Sequence, residues 1–128
     1  MRKITTLLLA VLAINLSAHD KVWRCADISG TTAIEAFGGQ LYNAAGEPRE
    51  CTALMKELGL NAVRLRVWVN PKGGFSSKDD VLKMALRAQA LDMPVMIDFH
   101  YSDWWADPGK QNIPAAWADL DYNGMQQD

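Results

Sequence analysis

The sequence is poor in cysteine, in histidine and in net charge of either sign, and it has no apolar run of membrane-spanning length. Two cysteines in 128 residues are too few for a disulfide scaffold. Two histidines, with one Asp98-x-His100 pair and no second cluster of His or Cys, make no metal-ligand constellation, so neither a metal nor a cofactor is expected. A formal net charge of −2 is not a charge that follows a phosphate backbone, which argues against nucleic acid as a partner and for a neutral or cationic ligand. With 49% hydrophobic and 22% charged residues, the chain is neither disordered nor fibrous. What is abundant is tryptophan: five, beside three tyrosines and three phenylalanines, more large flat surface than core packing needs.

Residues 1–18 have a short basic end (Arg2, Lys3), an apolar run of about ten residues and a small residue, Ala18, at the expected cleavage point. The run falls short of the roughly 18 to 20 residues needed to span a bilayer, so the segment reads as a secretory signal peptide and not as an anchor. Residues 19–128 are then the mature part, secreted or periplasmic, with no membrane association after cleavage. Export permits a disulfide between Cys25 and Cys51, but the two fall on opposite sides of a strand wall, and two free thiols are expected.

Strand-like and helix-like periodicities alternate along the mature part. Val22–Ser29 reads as a strand ending at Gly30. Pro48 suits a first helical position, and Cys51, Leu54, Met55 and Leu58 follow at helical spacing up to Gly59. Ala62–Val69 is a second strand, closed by Asn70-Pro71 and Gly73-Gly74. Ser77 and Asp80 resemble a capping box before an amphipathic helix running to about Ala90. Val95–His100 is a third strand, and residues 119–128 look like the start of a further helix. A βαβαβ series builds a parallel sheet with right-handed crossovers, either an open doubly wound sheet or part of a (β/α)8 barrel. No G-x-G-x-x-G follows the first strand, as a dinucleotide-binding sheet would want.

Side-chain parity favours the barrel. Val63, Leu65, Val67 and Val69 share one face of their strand, and Arg64, Arg66 and Trp68 the other. Val95, Ile97 and Phe99 likewise oppose Met96, Asp98 and His100. A parallel strand covered by helices on both sides is apolar on both faces. One aliphatic face and one charged face instead suit a barrel wall, packed on helices outside and carrying functional groups at its strands' C-terminal ends. Arg64 and Asp98 are read as a structural ion pair, Arg66 and His100 as functional, and Asp27 as a further inward carboxylate. Residues 101–117 hold Tyr101, Trp104, Trp105 and Trp117. Indole faces stack on the C–H faces of sugars, so at least one of Trp104 and Trp105 is expected to meet ligand, whereas Trp23 and Trp117 are assigned to packing.

The segments Arg66-Val-Trp-Val-Asn-Pro71, Ile97-Asp-Phe-His-Tyr-Ser-Asp-Trp-Trp-Ala-Asp-Pro-Gly-Lys-Gln111 and Pro114-Ala-Ala-Trp117 resemble those of the endo-β-1,4-galactanases of glycoside hydrolase family 53. Ala26-Asp-Ile-Ser29 and Leu58–Arg66 match in order and spacing, so the likeness covers essentially the whole mature part. The resemblance implies a (β/α)8 barrel, of which the first three βα units are present, acting on the β-1,4-galactan of type I arabinogalactan with retention of configuration. It implies that Arg66 supports and orients the nucleophile, and that Asp27, Trp68, His100, Asp103, Trp104 and Trp105 bind substrate. It also implies that the acid/base and nucleophile glutamates come from the fourth and seventh strands. No Asn-Glu dipeptide occurs in the chain, and the chain alone is expected to be inactive, poorly soluble or molten. The full-length protein is expected to be a monomer. Two other readings stay open: a related barrel glycosidase on another β-1,4-glycan such as mannan, and a secreted non-catalytic carbohydrate-binding protein.

Overall fold

A computed structural model describes residues 22–126; the expected leader lies outside the described residues. In chain order the elements are β1 (Cys25–Asp27), α1 (Thr31–Ala36), β2 (Leu41–Tyr42), β3 (Pro48–Arg49), α2 (Cys51–Glu57), β4 (Ala62–Val67), α3 (Lys78–Gln89), β5 (Val95–Phe99), a 3-10 turn (Ala115–Trp117) and α4 (Tyr122–Met125). β1, β4 and β5 form a parallel sheet in the order β1-β4-β5, with Asp27 beside Arg64 and Arg66 beside Asp98 in register. This is one section of the wall of a (β/α)8 barrel.

The aliphatic face of β4 makes the core. Val63 and Leu65 are fully buried and pack with Val81, Met84 and Ala88 of α3, Cys51 of α2, Ile28 and Met93. Each buried Val, Leu, Ile or Met side chain here contributes about 1.5–3 kcal/mol on leaving water, and this seam is what holds the two helices to the sheet. α3 starts at Ser77, whose hydroxyl accepts the Asp80 amide at 3.4 Å. The expected capping box is only half made, because the Asp80 carboxylate takes the Ser76 amide (2.7 Å) and the Thr32 hydroxyl (2.8 Å). That contact holds Ser76 at φ 61°, a left-handed backbone unusual for serine.

The structure departs from expectation at Pro48 and at Trp23. Pro48 is not a first helical residue: it pairs with Tyr42 in the antiparallel β2-β3 hairpin, and α2 begins at Cys51 behind Glu50, whose carboxylate accepts the Ala53 amide. Proline's fixed φ and missing N–H suit a hairpin edge as well as a helix start. Trp23, assigned to packing, is instead exposed. Both cysteines are free thiols, Cys25 exposed and Cys51 buried. Among the described residues no helix is long and apolar enough to cross a membrane.

Candidate functional site

The charged faces of the three strands meet at their C-terminal ends. Arg64, in the middle strand, reaches both neighbours: Nη1 donates to Asp27 Oδ2 at 2.7 Å, and Nη2 donates to Asp98 Oδ2. His100 Nε2 lies 2.9 Å from that same Asp98 oxygen. Asp27 also accepts the Ser29 amide at 2.9 Å. Burial pushes the Asp27 carboxyl up, but its hydrogen bonds from Ser29 and the positive charges of Arg64 and Arg66 outweigh this and hold it below the usual carboxylate range. An acid held ionised in this way is a poor proton donor at neutral pH.

Arg66 has a different environment. Its amide donates to the buried Ser29 hydroxyl at 2.7 Å, which locks β4 to the end of β1. Among the described residues its guanidinium forms no ion pair, and it lies over two indoles, 4.4 Å from the centroid of the Trp68 ring and 3.8 Å from that of Trp105. It is only 7% exposed, and burial lowers its affinity for the proton. Trp68, buried at the end of β4, stacks on Trp104 with centroids 5.4 Å apart and meets Trp105 edge-on at 5.5 Å. His100 stands edge-on to both Trp68 and Trp105. Three buried polar atoms have no protein partner among the described residues, and all belong to this cluster: Arg66 Nε, Trp68 Nε1 and His100 Nδ1. Buried polar groups are normally satisfied, so their concentration here points to a surface meant to receive other groups. Trp104 and Trp105 leave 60% and 51% of their surface in solvent.

The strand ends thus bring together Arg66, Trp68, His100, Trp104 and Trp105, with Asp27 alongside through Arg64. Asp103 behaves as a clamp: its two carboxylate oxygens accept the amides of Asn70 and Ala115, each at 2.9 Å, tying the loop after β4 to the turn at Ala115. Trp117 is half-buried against Tyr101 at 6.0 Å, beside a groove of about 680 Å³ that also reaches Asp98 and His100. Ser29 escaped sequence reading as part of the site, and a serine just past a strand end has no local signal that it will support an arginine on the next strand. The four glutamates of the described residues lie elsewhere, Glu35 and Glu50 on Arg87, and Glu47 and Glu57 on Arg49.

A parallel strand wall whose middle strand packs on helices outside, although Ile97 and Phe99 of β5 stay exposed rather than packed as expected, with polar and aromatic groups gathered at its C-terminal ends, defines a (β/α)8-barrel protein with a site in the usual place for that fold. The sequence profile of Glycosyl hydrolase family 53 matches residues 23–128, and the chain belongs to that family. It is 39% identical over 109 residues to the endo-beta-1,4-galactanase of Bacillus subtilis, covering 79% of this chain and 25% of that protein. It is 40% identical over 114 residues to a probable arabinogalactan endo-beta-1,4-galactanase A of Aspergillus fumigatus, covering 89% and 32%. Among solved structures it is similar to one from a study of two fungal beta-1,4-galactanases (TM-score 0.75, 38% identity, 83% of this chain and 32% of that one). It is also similar to a family 53 catalytic domain from Ignisphaera aggregans (TM-score 0.74, 40% identity, 81% and 31%). The chain therefore spans about a quarter to a third of the length of these relatives.

Proposed function

We propose that this chain supplies the first part of the substrate-binding wall of a secreted or periplasmic endo-β-1,4-galactanase that cleaves type I arabinogalactan with retention. The observation that carries the reading is the indole cluster around Arg66, which offers flat faces for sugar rings and an arginine that pairs with no carboxylate among the described residues. In the full-length protein, a monomer in this reading, Arg66 would support the nucleophile carboxylate. Trp68, His100, Trp104 and Trp105 would line the sugar-binding surface, with Asp27 and Asp103 at its edge. The names of the relatives support galactan as the substrate.

Retaining hydrolysis takes two carboxyl groups about 5–5.5 Å apart, one of them able to donate a proton. Asp27 and Asp98 are both committed to Arg64, and the glutamates lie on the outer arginines, so both catalytic carboxylates would come from further strands of a full-length barrel. The 128-residue chain incubated with galactan is accordingly expected to release no oligosaccharide, while the full-length protein releases them; release by the short chain would refute the reading. A non-catalytic binding role is favoured by one feature, the exposure of Trp104 and Trp105. Retarded migration of the full-length protein in galactan-containing gels without any hydrolysis would decide for it.

A further inference from the structure

The ion pairs at the strand ends determine where one proton sits. Asp98 uses a single oxygen, Oδ2, twice: it accepts from Arg64 and lies 2.9 Å from Nε2 of His100. A carboxylate carrying a guanidinium is ionised and can only accept, so the hydrogen between Asp98 and His100 belongs to Nε2. In a neutral imidazole one nitrogen donates and the other accepts, which leaves Nδ1 bare. Nδ1 is one of the buried atoms without a protein partner among the described residues, and its ring stands edge-on to Trp68 and Trp105.

We infer that Asp98 is a positioning residue for His100: anchored by Arg64, which is itself held by Asp27, it fixes the imidazole in its Nε2–H tautomer and leaves Nδ1 as a hydrogen-bond acceptor within the aromatic cluster. An ion pair that looks purely structural thereby sets the hydrogen-bonding character of a site residue two positions along the chain. That the acceptor serves a sugar hydroxyl rests on the galactan reading above; the tautomer does not.

The test is a set of long-range ¹⁵N–¹H correlation spectra of the full-length protein labelled with [¹⁵N]histidine, recorded on the alkaline side of imidazole titration and assigned by the signal lost in H100Q. In the wild-type protein Nδ1 is expected to resonate as a bare nitrogen and Nε2 as a protonated one. D98N keeps this pattern, because Arg64 demands the amide oxygen on that side and the same oxygen accepts from Nε2. D98A has no acceptor there, and both nitrogens shift towards the averaged values of exchanging tautomers. A protonated Nδ1 in the wild-type protein, a reversed pattern in D98N, or an unchanged pattern in D98A overturns the inference; the wild-type and D98N spectra carry the test alone if D98A does not fold. Saturation with a galactan oligosaccharide separates the two layers. A shift of Nδ1 supports the sugar-hydroxyl role, and an unmoved Nδ1 refutes that role while the tautomer stands on the ligand-free spectra.

Discussion

Replacing Arg66 by lysine keeps the charge and removes the planar guanidinium, which makes it a sharp test of how the site is held. The guanidinium lies 4.4 Å from the centroid of buried Trp68 and 3.8 Å from that of half-exposed Trp105. A cation over an indole is worth about 0.5–1 kcal/mol when exposed and about 2 when desolvated, so the two contacts together supply about 2.5–3 kcal/mol. A lysine ammonium is a point charge that can face one ring, and it is more strongly hydrated than a guanidinium and so resists burial. R66K in the full-length protein is therefore expected to lose about 1–2 kcal/mol, a factor of roughly 5–30 in the folding equilibrium. The assay is urea unfolding followed by tryptophan fluorescence, with the slope m checked to be unchanged. R66M supplies the contrast. It gives up both cation–π contacts but also removes a buried cation that makes no direct ion pair among the described residues, and replacing buried charge by an apolar side chain of similar volume is often neutral or stabilising. R66M should thus be at least as stable as R66K; if the proposed galactanase function holds, both lose galactan hydrolysis. Stability of R66K within about 0.3 kcal/mol of wild type, inside the usual scatter for surface substitutions, would refute the argument that the stacked guanidinium organises the site.

Loss of the Ser77 hydroxyl in S77A should lower stability by about 1 kcal/mol, read by the same urea titration, since it accepts the Asp80 amide at the start of α3. Asp27 and Glu50 both titrate below the ordinary carboxylate range. For Asp27 burial acts upward and is outweighed by Ser29, Arg64 and Arg66; for Glu50 burial is outweighed by hydrogen bonds from Thr52 and Ala53 and by the charge of Arg87. Carboxylates depressed in the folded state contribute stability that is complete above their unfolded pKa and is lost as pH falls through the folded value. The urea midpoint should therefore drop on acidification from neutral pH, and D27N should flatten that drop; an equally steep drop in D27N would contradict the assignment. A thiol reagent should label Cys25 in the native protein and Cys51 only after unfolding, because burial both hides the Cys51 thiol and raises its pKa. A mass two hydrogens lower under non-reducing conditions would show instead that the two are joined.

The strands and the long helix were legible because their signals are local. The alternation of Val63 and Leu65 with Arg64 and Arg66 states which face of β4 is buried, and Ser77 ahead of an amphipathic run states where α3 starts. α1 and the β2-β3 hairpin were not legible. α1 is six residues long, begins with two β-branched threonines and has no side-chain cap. Its support is distant in sequence: Thr32 donates to Asp80, and Glu35 pairs with Arg87. Tyr42 and Pro48 are too short a run to read as strands, and the hairpin is held by Asn43, whose side chain accepts the amides of Ala45 and Glu47.

The sequence by itself determined the three parallel strands and the long helix between the last two of them, the polar and apolar faces of the middle strand and the family, since each is written in residues close together along the chain. Only the tertiary structure decided what the polar face does. Parallel pairing places Asp27 beside Arg64 and Arg66 beside Asp98, yet it is Arg64 that takes both carboxylates, leaving Arg66 between Trp68 and Trp105. That choice depends on contacts between side chains up to 39 residues apart (Arg66 and Trp105) in one crowded place, and no local pattern records its outcome.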